Sequence, residues 1–460
     1  MRFAYLLAVL ALFQLVAACS VLAQPQALSS LEAALDSLNA TAVAQHAQLI
    51  SGFGSRLTGY SGYYRTIDYI VQALRSEGLE PVIQNFTVLV PWDAGSEIRI
   101  PALNTAIKAY ALWPNGHVGV WSVEGLKGKL VYVGKGELED FDGKEVEGSI
   151  VVMDFDSGGN WRNAVKLGAK AVVFADRGGG DRYEAYSKFE WYAFYPYVRL
   201  YVAGEDAEKL VQLAVKGCEA VIDSRLELRE VKASNVLVKV PGRRESEAIL
   251  AVASVDSWSV VPALASSVHD AVNVGFLLEL ARLAKRAQLE RSLWIAFLSG
   301  HWQGLAGARL LAENLTRDPE LASGKVVVWY AVGVDLSDDF PGVSLVYMGH
   351  FYRAGRALFT AKFSWIQEAV STQLSGFLRG YLEKRGLIPG NLMSAIESLG
   401  LVREVDLVEG PDWSWTGTMA TPYVLDTEPF VVANMAGFTI RTQFSYRNWE
   451  GVPGSRNVRW

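Results

Sequence analysis

Apolar positions follow a helical period at the start of the chain. From Leu28 to Leu49, Leu31, Leu35 and Leu38 are interleaved with Ala, Asp and Gln, which predicts a helix. Gly52-Phe-Gly-Ser-Arg-Leu-Thr-Gly-Tyr-Ser-Gly breaks it, and the period resumes from Tyr63 to Glu77 through Ile67, Ile70, Val71 and Leu74 until Gly78 stops it. Leu79 to Val90 is β-rich. Helix, glycine loop, helix and strand in that order open an α/β domain.

Between about 92 and 235 the texture changes to short apolar strands at close spacing. They are Gly119-Val-Trp-Ser-Val, Lys129-Leu-Val-Tyr-Val, Ser149-Ile-Val-Val-Met and Lys170-Ala-Val-Val-Phe, with one helix from Asn160 to Leu167 ending at Gly168. This predicts a β-rich insert. From 236 onward buried strands alternate with amphipathic helices: strand Ala248 to Val255, helix Val274 to Ala287, strand Ser292 to Leu298, helix Leu305 to Leu315, strand Lys325 to Val334. The alternation implies an α/β/α sandwich around a mixed, mostly parallel sheet. Ligands of such sheets sit beyond the carboxyl ends of the strands, so a site is expected near Asp256, Gly300 and Asp335.

The first nineteen residues carry one positive charge, Arg2, and then an apolar run interrupted by Gln14, as an export signal does. Val21-Leu22-Ala23 suits a signal peptidase, while Val16-Ala17-Ala18-Cys19 fits a lipoprotein cleavage box with the lipid on Cys19. A membrane-spanning anchor would need about 20 apolar residues. The expected divisions are a signal peptide at 1–23, the first part of the main domain at 24–91, the insert at 92–235 and the rest of the main domain at 236–460, in a secreted or cell-surface protein. Asn39-Ala-Thr41, Asn85-Phe-Thr87 and Asn314-Leu-Thr316 are sequons consistent with export.

Charge narrows the partners. Lys and Arg number 43 against 49 Asp and Glu, a formal net charge of −6, so there is no net positive field to draw in a nucleic-acid backbone. With half the residues hydrophobic and 20% charged, the chain is globular rather than disordered. Cys19 and Cys218 are the two cysteines, and they give no disulfide framework.

The residues at these strand ends carry a resemblance. Gly54-Ser-Arg-Leu-Thr-Gly, the helix from Thr66 toward Leu79, Leu277-Leu-Glu-Leu-Ala-Arg, Arg291-Ser-Leu-Trp-Ile-Ala-Phe-Leu-Ser-Gly, Gln303-Gly-Leu-Ala-Gly-Ala-Arg and Asp426-Thr-Glu-Pro-Phe-Val-Val-Ala-Asn-Met-Ala-Gly follow one order. In order and spacing they resemble the secreted co-catalytic zinc aminopeptidase family that also includes glutamate carboxypeptidase and the transferrin receptor. Leu126-Lys-Gly-Lys-Leu-Val and Ala164-Val-Lys-Leu-Gly-Ala-Lys-Ala-Val-Val-Phe resemble that family's protease-associated insert. The resemblance covers most of the chain except about 350 to 415.

It departs where the family's chemistry lies. The family's His-x-Asp reads Ser254-Val255-Asp256 here, and its bridging Asp falls on His269, or on Asp270 with a one-residue slip. The Glu-Glu pair of general base and zinc ligand is His301-Trp302, and Ser-Asp-His is Leu425-Asp426-Thr427. Asp335 is the candidate for the remaining ligand. The former ligand positions are therefore Ser254, His269, Trp302 and Thr427, with His301 at the general-base position. Two cations held about 3.5–4 Å apart need His and carboxylate donors. Trp cannot donate a lone pair, and without a bridging carboxylate two dications repel.

These residues point first to a non-catalytic homologue that binds peptide, protein or glycan, with no cofactor expected. The alternative is a hydrolase with a rebuilt single zinc centre drawn from Asp256, His269, Asp270, Asp335 and Asp426, with His301 beside them. A histidine near a carboxylate is also an ordinary ion pair. A serine route through Ser254 or Ser299 with His301 lacks the Gly-x-Ser-x-Gly elbow. Fourteen tryptophans, among them Trp258, Trp302, Trp413 and Trp415, either floor a ligand cleft or fill space that ions would occupy. The acidic stretch Leu401 to Trp415 reads as a loop, and Asp338-Asp339 as a turn.

Overall fold

The computed structural model describes residues 36–113, 122–178, 182–188, 197–287, 289–336, 343–346, 402–404 and 425–441, with Ala33 and Lys384 besides. The export signal, Cys19, Asp338-Asp339, Trp413 and Trp415 lie outside the described residues.

The helical period read from Leu28 is interrupted before Asn39. Asn39 becomes the N-cap of helix α1, Ala40–Ser51, its Oδ1 accepting from Ala42 N at 3.0 Å. Asparagine favours this place because its side chain bonds the free amides of a first helical turn. Helix α2, Ser61–Ser76, buries Tyr63, Ile67, Ile70, Val71 and Leu74 along one face, and Gly78 ends it at φ +67°.

Thirteen strands among the described residues join in one mixed sheet. Strand β1, Val82–Ile100, is followed by β2, Thr105–Ala111, β3, Ser122–Tyr132, and β4, Ile150–Asp154. After helix α3, Trp161–Lys166, come β5, Ala171–Asp176, helix α4, Arg182–Ser187, β6, Val198–Ala203, and helix α5, Gly204–Val215. Strand β7, Glu219–Val240, leads into β8, Arg244–Ser254, helix α6, Val268–Arg286, and β9, Arg291–Leu298. Helices α7, Ala306–Arg317, and α8, Pro319–Ala322, precede β10, Val327–Asp335. The described chain ends with β11, Val343–Val346, β12, Val402–Glu404, helix α9, Glu428–Val432, and β13, Ala436–Arg441. Val402–Glu404, expected as loop, pairs in parallel with β11.

In the main sheet β9, β8, β10 and β13 run parallel, β7 and β11 pairing antiparallel outside them. Alternate residues of β8 face opposite layers, as a period of two requires. Ile249, Ala251 and Ala253 pack with Ile67 and Ile70 of α2 and Phe276 and Leu280 of α6, while Ala248, Leu250 and Val252 pack with Leu311 of α7 and Phe430 of α9. Helices on both faces make an α/β/α sandwich.

The expected insert is built on two long strands. β1 and β7 pair from Val82 with Leu237 to Arg99 with Val221, across a bulge between Asp93 and Ser96. With β2, β6, β5, β4 and β3 they close a ring, so no strand edge in it is left open. Ile98, Ile107, Ile150, Val173 and Leu200 fill it together with Leu210 and Leu213 of α5. The positions near 92 and 235 fall inside paired strands, Trp92 opposite Glu227 and Asn235 opposite Gln84. Val260 and Val261, which follow β8, pack into the apolar cluster of the insert around Trp161 and Phe174. The insert thus stands against the carboxyl ends of the main strands. No helix among the described residues is long and apolar enough to cross a membrane.

Candidate functional site

Three loops meet beyond the carboxyl ends of the parallel strands: 255–267 after β8, 299–305 after β9, and 425–427 before α9. The middle one is tightly wound. Gly300 has φ +72°, and a Cβ there would lie 3.1 Å from that of Ala306, while a Cβ on Gly307 would collide with Ser299 O and Asn235 Oδ1. Leu305 adopts a left-handed φ of +60°, a conformation that costs a non-glycine residue about 1–2 kcal/mol. Below the loop a buried network holds it. Tyr63 donates from its hydroxyl to Ser299 Oγ at 2.9 Å and accepts from Ser234 N at 2.8 Å, and Ser299 N donates to Asn235 Oδ1 at 3.1 Å.

Asp256 is the hub. It is 2% exposed, accepts from Thr58 Oγ1 at 2.9 Å, and accepts the His301 amide at 3.1 Å. Thr58 Oγ1 in turn accepts from Gly300 N at 3.3 Å. The glycine-bounded loop between the first two helices is therefore clamped to the loops after β8 and β9. Burial pushes the Asp256 carboxyl up to about 6 and the charge of Asp426 adds to the rise, while His301 and the Thr58 hydrogen bond oppose it.

The His301 ring turns toward α9, with Nδ1 2.9 Å from Asp426 Oδ1. Burial alone would lower the imidazole pKa. Asp426, first by charge and then by its hydrogen bond, together with Asp256 and Asp335, outweighs burial and lifts it to about 9. The neighbouring carboxyl groups thus favour the charged form of the imidazole.

The other expected positions fall as follows. Ser254 is the last residue of β8, half-buried and opposite Leu298. Trp302 packs 5.5 Å, between ring centroids, from Trp258, which in turn lies 6.0 Å from Trp113, and the His301 ring meets Trp302 edge-on at 4.9 Å. Thr427 is buried, its Oγ1 3.0 Å from Thr439 Oγ1. His269 and Asp270 lie in the first turn of α6. Asp335 ends β10, directly opposite Arg441 of β13, and the two side chains pair at 2.7 Å. So Asp256, His301, Trp302 and Asp426 are joined by contacts, and Asp335 lies within the electrostatic reach of His301.

Sequence reasoning missed Arg56, Thr58, Tyr63 and Arg441. Arg56 and Thr58 sit in the glycine loop already singled out. Arg441 ends the strand that follows the last family-like motif, so its place was visible but its partner was not. Arg56 is fully buried, donates Nη2 to Ser267 O at 2.6 Å, and lies in the field of Asp270 and Asp256.

The donor set does not suit a zinc pair. Among the described residues no three His, Cys, Asp or Glu side chains come together to hold a metal ion. Indole offers no lone pair at Trp302, Thr427 is engaged with Thr439, and His301 Nδ1 is engaged with Asp426.

The layered fold, with candidate chemistry at the carboxyl ends of its central parallel strands, is that of an α/β/α protein built on a mixed sheet. Residues 235–330, which span the end of β7 through the start of β10, match the model of peptidase family M28. Carboxypeptidase Q of Bos taurus is 23% identical over 231 residues, 46% of this chain and 48% of that protein, so the alignment spans about half the length of the relative. Among solved structures, a zinc aminopeptidase from Bacillus subtilis is 15% identical with a TM-score of 0.49, covering 90% of this chain and 88% of that one. A Peptidase M28 precursor from Shewanella amazonensis SB2B is 15% identical with a TM-score of 0.47, covering 94% and 88%.

Proposed function

We propose that this chain is an exported M28 homologue that does not carry out peptide hydrolysis, and that it binds a peptide, protein or glycan through its cleft or its insert. The observation that carries this reading is the engagement of His301. The residue in the general-base position is closed on Asp426, and its neighbour Trp302 is packed on Trp258. A general base must reach a water held by the metal ions. An imidazolium paired at 2.9 Å has its proton committed elsewhere. The zinc pair would polarise the scissile carbonyl and ionise the attacking water; this chain offers Asp256, Asp335 and Asp426 toward it without the imidazole donors.

A second reading is a rebuilt mononuclear centre that draws on Asp256, Asp426 and Asp335, whose charges act on His301, with His269 or Asp270 added. Metal analysis of protein purified without chelator separates the two. Less than about 0.1 zinc per chain is expected, and one tightly held zinc per chain overturns the first reading in favour of the second.

A further inference from the structure

His301 is held by two carboxylates, its amide donating to Asp256 at 3.1 Å and its ring nitrogen 2.9 Å from Asp426 Oδ1, and the charge of a third, Asp335, acts on it as well. Carboxylates withdrawn from water, such as Asp256 at 2% and the Asp426 side chain at 11% exposure, repel one another and are stabilised by cations near them. The chain brings its own. Arg441 stands in register opposite Asp335 on the neighbouring parallel strand, with its side chain 6% exposed and Nη2 2.7 Å from Asp335 Oδ2. Arg56, fully buried, lies in the field of Asp270 and Asp256; Nη2 donates to Ser267 O, while Nε and Nη1 have no hydrogen-bond partner among the described residues. His301 holds Asp426 at 2.9 Å.

We propose that Arg441 and Arg56, together with His301, balance the carboxylates that bound metal cations would balance in a two-metal peptidase, so that the protein completes its own site electrostatically and does not take up divalent cations. Guanidinium suits this role because it stays charged at every working pH and is less strongly hydrated than ammonium, so it tolerates burial beside a carboxylate. The inference rests on the reading above that no zinc pair is held, and it adds which groups stand in for it.

The test uses the full chain and its melting temperature, with zinc chloride as the probe. Arg441→Met is expected to lower the melting temperature clearly, because it removes the cation paired with Asp335. Arg441→Met combined with Asp335→Asn is expected to recover most of that loss, since the carboxylate charge goes with the guanidinium. Wild type is expected to melt at the same temperature in zinc and in chelator. Single effects that simply add in the double variant, or a zinc-dependent rise in wild-type melting, overturn the proposal. If Arg441→Met does not fold, a folded double variant supports the proposal and an unfolded one counts against it. Peptidase turnover is read separately. An inactive wild type stabilised by zinc defeats this inference alone, and an active wild type indifferent to zinc defeats the functional reading alone.

Discussion

At the scale of single residues, His301 sets the charge balance of the site. A carboxylate in that position would repel Asp426; an imidazole pairs with it. His301→Ala leaves Asp426, whose side chain is 11% exposed, without that partner. Breaking a buried pair costs about 3–5 kcal/mol, and the shift in urea midpoint against wild type measures it. The same pair sets a pH dependence. A histidine whose folded pKa rises from 6.5 to about 9 contributes stability that is full below 6.5 and is lost as pH climbs through 9, on the order of 3 kcal/mol in all. Asp256, raised from 3.8 to about 6, has the same sign one step lower: its contribution is present below 3.8 and gone above 6. Denaturation midpoints should therefore fall between pH 6.5 and 9 in wild type and fall less in His301→Gln. A flat or rising profile would remove the charged pair from the account. The sequence put His301 beside these carboxylates as a candidate ion pair, but His301 and Asp426 are far apart along the chain and only the fold says which carboxylate the ring meets.

Among elements, the sequence read helices and core strands well and connections poorly. The helix after Gly62 and the strands ending at Ser254, Leu298 and Asp335 lie close to where the period placed them, because each buries a face whose pattern is local. The long strands were cut short. Pro91-Trp-Asp-Ala-Gly95 interrupts the alternation, and the structure answers with a bulge at Asp93 to Ser96 rather than an end. The glycine loop was legible as a break, but the clamp it forms through Thr58 was not. Tyr63 shows what holds the loop after β9. Tyr63→Phe removes the acceptor of the Ser234 amide and the donor to Ser299 Oγ. Leaving a buried amide unpaired costs about 1–3 kcal/mol, which thermal or urea unfolding should register. Gly300→Ala should cost at least about 1 kcal/mol, since the side chain meets both a positive φ and Ala306.

Across the whole molecule, the order of motifs gave the α/β/α architecture, because alternating strand and helix leave little choice of topology. The closure of the insert into a ring was not visible, since it depends on β1 and β7 pairing across more than a hundred intervening residues. The sequence pointed to strand ends near Asp256, Gly300 and Asp335, and its reading of what they do rested mainly on residues unsuited to holding zinc. The structure supplies the positive content: a hub at Asp256, a closed His301 and Asp426 pair, and a packed tryptophan file. The central claim, that the cleft does not hydrolyse peptides, is tested most directly by release of free amino acids from unblocked peptides in the presence of added zinc, measured for wild type and for His301→Ala. The account expects no turnover by either. Turnover by wild type that vanishes in His301→Ala would contradict it and make His301 a catalytic residue.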